Sequence, residues 1–311
     1  MVSGARGAVG GMQVVRKTSR ALGSEASITA LHERREVAER AIDAAVAELR
    51  RIDQIMSIYR AESQVSILNR TGILSNPDQR LLEVLQAAQE ISQQTGGAFD
   101  VTVQPLWEVY AAAAREEKLP ESVLVEAAVR KVNWKNLQIL ADRVELKPMG
   151  TAITLNGIAQ GYAADRVVAV LRQHGIEHAM VNTGELGALG RREDGMPWNV
   201  AIQHPRRADA YVALAKLDGR YMATSGDYET SFTDDHAYNH IFDPATGKSP
   251  VTFSSVTVVA ETGMAADALS TAIFVLGYEK GLKLLGNTKG AEGLFVLKDG
   301  RVVATAGFPQ A

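Results

Sequence analysis

Three oxygen-bearing side chains lie close together on one predicted helix near the C-terminal end of the chain. Residues 265–276 are rich in Ala and Leu, as in a buried helix, and Asp267, Ser270 and Thr271 interrupt this apolar run. Asp267 and Thr271 are one helical turn apart, so their oxygens share a face. A buried carboxylate is costly unless it is paired, and a hard cation with oxygen ligands would pair with it.

The same side chains also allow a purely structural interpretation. Asp267 would accept a hydrogen bond from a nearby backbone amide, and Thr271 would bond to a carbonyl of its own helix. This segment, taken alone, favours the structural interpretation over a metal site.

Two further places could carry chemistry. A predicted strand over residues 151–155 runs into Asn156, Gly157 and a helix that extends to His174. Free N–H groups at that helix start would favour an anion, although an ordinary helix with Asn156 as its N-cap explains the pattern equally well. His240 lies on a predicted strand over residues 238–242, beside a turn, and could be a proton acceptor or a structural residue.

The elements that position these residues indicate an α+β fold. Amphipathic helices are predicted at 33–55 and 78–93, residues 98–105 are predicted as a loop, and residues 254–260 read as a buried strand that precedes the Asp267 helix. Hairpin patterns recur without a regular strand–helix alternation. We therefore expect mixed, mostly antiparallel sheets with packed helices.

Length and composition limit the possible functions. The 311 residues are 46% hydrophobic and carry a net charge of −3, which gives no electrostatic argument for binding nucleic acid. The absence of Cys excludes disulfides, thiolate metal sites and thiol catalysis. Residues 14–311 are predicted to form one domain, with two lobes as an alternative. Residues 1–13 are Gly- and Ala-rich and are predicted to be disordered, as a leader remnant or a vector scar.

Several short motifs, taken together and in order, resemble the ApbE family of FAD:protein FMN transferases. The resemblance extends from about residue 20 to about residue 308, and its α+β fold is the one expected above. The motifs lie at residues 21–24 (ALGS), 56–59 (MSIY), 97–100 (GAFD), 157–165 (GIAQGYAAD), 223–228 (ATSGDY), 240–247 (HIFDPATG) and 266–271 (ADALST).

The resemblance implies a reaction and a site. Members of the family cleave FAD and transfer FMN to a Thr or Ser hydroxyl of a target flavoprotein, with Mg²⁺ at the pyrophosphate and AMP as the leaving group. By resemblance, the metal ligands would be Asp267, Thr271 and the carbonyl of Ala159, with Ser270 adjacent. His240 would activate the incoming hydroxyl. The residues expected to contact FAD are Tyr59, Ala98, Phe99, Asp100, Asn156, Gln160 and Phe242.

The sequence also departs from the usual family motifs. Leu22 stands in place of a Met, Gln160 in place of a Lys or Glu, and residues 182–185 read NTGE in place of a Gly-Gly-Asp. The motif that starts at Leu155 resembles the NosX branch, which implies a periplasmic location and a membrane flavoprotein of the nitrous-oxide reduction system as the target. The alternatives are an FAD pyrophosphatase that releases free FMN and AMP, and a non-catalytic flavin-binding accessory factor.

Overall fold

The computed structural model of the protein describes residues 11–311 and shows a mixed α+β fold, as the sequence predicts. The strands are β1 (Gln13–Ala21), β2 (Ser24–His32), β3 (Ile73–Ser75), β4 (Leu137–Ile139), β5 (Arg143–Leu146), β6 (His178–Asn182), β7 (Leu186–Leu189), β8 (Trp198–His204), β9 (Arg207–Leu217), β10 (Tyr221–Gly226), β11 (Phe253–Ala260), β12 (Glu292–Leu297) and β13 (Val302–Ala304).

The helices are α1 (Arg35–Met56), α2 (Gln64–Thr71), α3 (Gln79–Gln94), α4 (Gln104–Ala114), α5 (Ser122–Val129), α6 (Ala159–Gln173), α7 (Gly263–Leu276) and α8 (Tyr278–Gly286), with short 3₁₀ turns at Val101–Val103 and Trp134–Asn136. Within residues 11–311, no helix combines the length and the apolar character that crossing a membrane requires.

One large sheet organises the molecule. Its eight strands follow the order β1-β2-β6-β7-β10-β11-β12-β13, and every neighbouring pair is antiparallel. Helices α1, α6, α7 and α8 cover one face, and the separate β8–β9 hairpin packs on the other side of β10 to β12. Because both faces are covered there, every residue of β11 is buried, which fits its largely apolar and β-branched sequence.

The helix α1 shows how the sequence specifies this packing. Its apolar residues recur every three or four positions and form a single buried stripe, which includes Ala41, Ile42, Leu49 and Ile52. The stripe faces β1, β2 and α6, so the first long helix and the helix after Asn156 share one hydrophobic core.

The predicted strands at 151–155 and 238–242 are absent from the described elements, and both predictions were wrong. The side chain of Asn69 bonds both the N–H and the carbonyl of Ile153, at 2.7 and 2.8 Å, and so takes the place of a neighbouring strand. Around His240, strand pairing is limited to an isolated bridge between Ser231 and Asn239. The neighbouring N–H groups bond to side chains: Asn239 N–H donates to the Ser249 hydroxyl, and Ile241 N–H to the Asn239 amide oxygen.

Three boundaries also differ from prediction. The segment 98–105 is not a simple loop, because it contains a 3₁₀ turn and the first residues of α4. Helix α6 begins at Ala159, so Asn156 is not its N-cap. Residues 1–10 of the predicted disordered segment lie outside the described residues, and Gln13 already belongs to β1.

Candidate functional site

A cavity of about 400 Å³ opens where α6, α7 and β10 meet the irregular segments around residues 98–103 and 226–244. Ten of the predicted site residues line this one cavity, although they come from widely separated parts of the chain. They are Tyr59, Ala98, Phe99, Asp100, Asn156, Gln160, His240, Phe242, Asp267 and Thr271. The other two, Ala159 and Ser270, are buried beside it on α6 and α7.

Asp267 is held at the contact between α6 and α7. Its side chain is 3% exposed, and one of its oxygens accepts the N–H of Gly161 at 2.9 Å. Burial raises the pKa of the Asp267 carboxyl to about 7, and the charge of Asp165 adds to this rise while the Gly161 N–H opposes it. The structural interpretation of Asp267 is therefore correct as far as it goes, but one hydrogen bond leaves this buried carboxylate poorly compensated.

Three hydroxyl groups lie next to Asp267. The Ser225 hydroxyl is 2.8 Å from that of Ser270 and 3.1 Å from that of Thr271. The Ser270 hydroxyl also donates to the Asp267 carbonyl at 2.9 Å. Thr271 thus bonds across to β10, and the expected bond to its own helix is not among its contacts. Ser225 was missed as a site residue, although it lies within the 223–228 motif.

This donor set fits a hard cation. Within residues 11–311, no group of three or more Asp, Glu or His side chains is arranged to hold a metal ion, so a cation here would depend on one carboxylate, hydroxyl groups and carbonyls. Mg²⁺ accepts such a site, because it keeps several waters and takes phosphate oxygens as further ligands. Asp267 and Thr271 line the cavity, and Ala159 is two residues from the amide that Asp267 accepts.

Glu185 is a second acidic residue that sequence reasoning did not single out. It follows β6 in a tight turn and lines the cavity. Burial, and then the charge of Asp267, hold the pKa of Glu185 well above its usual value. The two carboxylates therefore interact electrostatically, and a cation bound between the walls of the cavity would relieve their mutual repulsion.

The segment with Phe99 and Asp100 is fixed by hydrogen bonds from its own neighbourhood. One Asp100 oxygen accepts the backbone N–H and the hydroxyl of Thr102, at 2.7 and 2.6 Å, and the other accepts the N–H of Trp134 at 2.8 Å. Burial raises the Asp100 pKa, and these bonds oppose that rise. Asp100 thus shapes the wall, and Phe99, 3% exposed, provides an apolar surface in it.

At the mouth of the cavity, Tyr59 is 59% exposed and its hydroxyl accepts the side-chain amide of Asn156 at 3.3 Å. The ring lies against Gly23, where an added β-carbon would come within 2.5 Å of it. An aromatic ring that is fixed on one face and open on the other is suited to stacking with a planar ligand.

Gln160 connects two walls of the site. Its amide donates to the Ser24 hydroxyl at 2.8 Å and packs against Gly184, where an added β-carbon would lie 2.5 Å from the amide group. The Thr183 hydroxyl donates to the Gln160 carbonyl at 2.9 Å. The neutral amide thus holds the β1–β2 turn and the turn after β6 to the first residues of α6.

His240 has a defined orientation. Its Nδ1 lies 3.2 Å from the carbonyl of Thr230. Because a carbonyl can only accept, Nδ1 carries the proton and Nε2 of the neutral ring is left as an acceptor. Burial lowers the pKa of His240 below its usual value, although the Thr230 carbonyl and the charge of Asp227 oppose this. The ring is therefore neutral at pH 7 and can take up a proton.

An ion triad around the buried Asp227 anchors the loop that carries His240, because its Lys298 donates to the carbonyl of His236 at 3.1 Å. Asp227 is 0% exposed. Its carboxylate accepts hydrogen bonds from both terminal nitrogens of Arg206, each at 2.7 Å, and pairs with the Lys298 ammonium. Phe242, at the other end of this loop, packs with Tyr110 at a ring-centroid distance of 5.0 Å. None of the three residues of the triad was predicted as a site residue.

The comparisons with known proteins agree with this fold. The model of the ApbE family matches residues 22–295. A protein of Treponema pallidum named FAD:protein FMN transferase is 31% identical over 97% of this chain and 90% of its own length. A protein of the same name from Salmonella typhimurium is 29% identical over 83% of this chain and 77% of its own length.

Solved structures show the same architecture. The ApbE protein of Thermotoga maritima superposes with a TM-score of 0.85 and 30% identity, covering 94% of this chain and 97% of its own. The apo flavinyl transferase ApbE of Pseudomonas stutzeri superposes with a TM-score of 0.81 and 32% identity, covering 95% of each chain.

Proposed function

Since the chain belongs to the ApbE family, we propose that it is an FAD:protein FMN transferase, which moves FMN from FAD to a target flavoprotein. The observation that carries this proposal is the single cavity that joins an exposed aromatic ring, a neutral histidine and a buried carboxylate with adjacent hydroxyls. The three features correspond to holding a flavin, accepting a proton and neutralising a pyrophosphate.

The FAD contacts follow from the walls of the cavity. Tyr59 would stack with a planar part of FAD, with Asn156 holding its hydroxyl, and Ala98, Phe99 and Phe242 would provide the apolar wall. Asp100 and Gln160 would keep this wall in place through their backbone and side-chain bonds.

In the transfer step, a Thr or Ser hydroxyl of the target attacks the phosphorus of the FMN half of FAD. The new P–O bond forms as the bond to the bridging oxygen breaks, and AMP leaves with that oxygen. Nε2 of His240 accepts the hydroxyl proton, because Nδ1 is committed to the Thr230 carbonyl. The protein needs no nucleophile of its own, since the target supplies it.

Mg²⁺ would be held by Asp267, Thr271 and the carbonyl of Ala159, with Ser270 behind them, and would supply charge neutralisation at the pyrophosphate. Without a cation, the Asp267 and Glu185 carboxyl groups would have to be protonated, or they would repel a pyrophosphate that entered the cavity. This requirement supports the proposal that the reaction depends on Mg²⁺.

The biological setting is proposed from the motif resemblance alone. The NosX-like motif at residues 155–162 favours a periplasmic enzyme whose target is a membrane flavoprotein of the nitrous-oxide reduction system.

The test is to co-express the protein with candidate target flavoproteins and to search their Thr and Ser residues for an FMN adduct by mass spectrometry. Purified protein, FAD, Mg²⁺ and that target should then yield AMP and the adduct in equal amounts. AMP and free FMN without any target would identify a pyrophosphatase. Stoichiometric FAD binding with no AMP would identify a flavin-binding accessory factor, and either result would contradict the proposal.

A further inference from the structure

A second cleft, of about 580 Å³, opens beside the mouth of the cavity and is lined largely by charged and polar side chains. We refer to it as the arginine cleft, after its members Arg20, Arg50 and Arg60, which it shares with Glu25 and Gln54. Its walls come from three elements: β1 contributes Arg20, β2 contributes Glu25, and α1 contributes Arg50 and Gln54. All five side chains are exposed.

The arginine cleft presents unneutralised positive charge. Arg60 is paired with the buried carboxylate of Asp53, which also accepts the N–H of Leu22 at 2.7 Å. In residues 11–311, by contrast, neither Arg20 nor Arg50 has a carboxylate within ion-pair distance. Two free guanidinium groups on a chain of net charge −3 are a local positive site that attracts carboxylates.

The cleft and the cavity share a wall. Tyr59 lines the cavity and the next residue, Arg60, lines the cleft; likewise Leu22 lines the cavity and Arg20 lines the cleft. Because an extended chain advances about 3.3 Å per residue, a segment that presents a hydroxyl at the mouth passes over the cleft within a few residues.

The shape of the cleft favours a peptide over a small anion. A lone phosphate would fill only a small part of the cleft, whose volume is about 580 Å³. A segment with spaced carboxylates could instead pair with Arg20 and Arg50 and give its backbone N–H groups to Glu25.

We propose that the arginine cleft docks an acidic segment of the target flavoprotein and so delivers its hydroxyl to the mouth of the cavity. This docking role rests on the proposed transferase function. The carboxylate-binding cleft itself can be tested without any transfer.

The first test is a binding measurement. A fluorescein-labelled peptide of alternating Asp and Gly is titrated with the protein and followed by anisotropy. We expect the double variant Arg20→Glu, Arg50→Glu to bind the peptide on the order of tenfold more weakly than the unchanged protein. The control variant Lys289→Glu, Arg301→Glu makes the same change of charge at exposed residues beside β12, near the opposite edge of the sheet, and should bind as the unchanged protein does.

Equal binding by all three proteins, or equal loss in both variants, would overturn the proposal. Inorganic phosphate, added as competitor at the same ionic strength as a chloride control, should displace the peptide no better than chloride does. Specific displacement by phosphate would identify the cleft as a phosphate site and would also overturn the proposal.

The second test uses the target protein identified by co-expression. The cleft variant should raise the KM for the target on the order of tenfold and leave kcat and the FAD Kd unchanged. A rise in the FAD Kd would mean that the cleft binds FAD. If the unchanged protein transfers no FMN, the proposed function fails, whereas normal transfer with an unchanged KM in the variant removes only the docking role.

Discussion

A β-carbon added to Gly161 would lie 2.1 Å from the carbonyl oxygen of Gly263, and one added to Gly263 would lie 2.4 Å from that of Gly161. The first turns of α6 and α7 therefore touch backbone to backbone. Two reciprocal bonds tie them together: Asp267 of α7 accepts the Gly161 N–H, and Asp165 of α6 accepts the Gly263 N–H at 2.7 Å. The position of the buried Asp267 carboxylate in the cavity thus depends on having glycine, without a side chain, at both 161 and 263.

The first prediction concerns this contact. Gly161→Ala should destabilise the protein by about 1–3 kcal/mol, because the clashing atoms belong to backbone that cannot rotate away. The substitution should also weaken Mg²⁺ binding, since it separates Asp267 from the α6 amide. Urea unfolding and a Mg²⁺ titration measure the two effects.

Gly286→Ala is the matched control. Gly286 is also helical, but an added β-carbon there would have no heavy atom within 4 Å. Its variant should be as stable as the original protein, or more stable by up to about 1 kcal/mol. Similar losses from both substitutions would show that the α6–α7 contact is not responsible, because helix propensity favours Ala over Gly at both positions.

The second prediction separates metal binding from folding. Mg²⁺ should raise the Tm of the unchanged protein but not that of Asp267→Asn, because the neutral amide lacks the charge that attracts a cation. Without Mg²⁺, the variant should be at least as stable, since burial disfavours the charged carboxylate. FMN transfer should be lost. The exposed Asp299→Asn serves as control, and an equal Mg²⁺ effect in both variants would contradict the assignment.

The third prediction is a pH dependence. The His240 pKa is lowered by burial, so the ring accepts a proton at neutral pH and loses this ability only as the pH falls through a value below 6.5. The transfer rate should decrease there. Between that value and 6.5 the unfolded chain binds the proton and the folded chain does not, so this residue makes the protein less stable as the pH falls through that window.

Replacing His240 by Gln keeps a polar side chain that cannot take a proton. The variant should transfer FMN at no more than about one-hundredth of the original rate. Its residual rate should lack the decrease at acid pH. An unchanged acid limb in His240→Gln would mean that another group titrates.

The fourth prediction concerns the ion triad beneath the His240 loop. Asp227→Asn should destabilise the protein by about 3 kcal/mol, because Arg206 and Lys298 would lose their buried counter-charge; their partial exposure keeps the loss from being larger. The exposed Asp218→Asn, which breaks a pair with Arg220, should cost under about 1 kcal/mol in the same urea unfolding experiment.

The local sequence predicts the elements whose residues repeat regularly. Helices α1 and α7 and the strand β11 are confirmed, because one buried stripe or one largely apolar run is a property of the segment itself. The strand at 151–155 was wrong for the opposite reason. Ile153 receives its hydrogen bonds from Asn69, 84 residues away, and no local pattern reveals such a partner.

The site divides in the same way. Asp267 and Thr271 are visible as polar residues on an apolar helix, and motif resemblance adds the residues that line the cavity. Ser225 and Glu185 were missed, because their positions depend on strand pairing. Ser225 faces Thr271 only since β10 aligns with β11, which leads into α7, and this register is set by long-range contacts.

The cavity wall begins at Leu22 and is completed only by Val275, so almost the entire chain must be synthesised before the pocket exists. A ribosome-bound chain that has not yet released α7 lacks the carboxylate and the hydroxyl of the far wall. It therefore cannot bind a flavin nucleotide in this pocket, and it cannot use one as a substrate. If the pocket is the flavin site proposed above, truncated copies would be inactive, and flavin retained by the protein would report that α7 has docked.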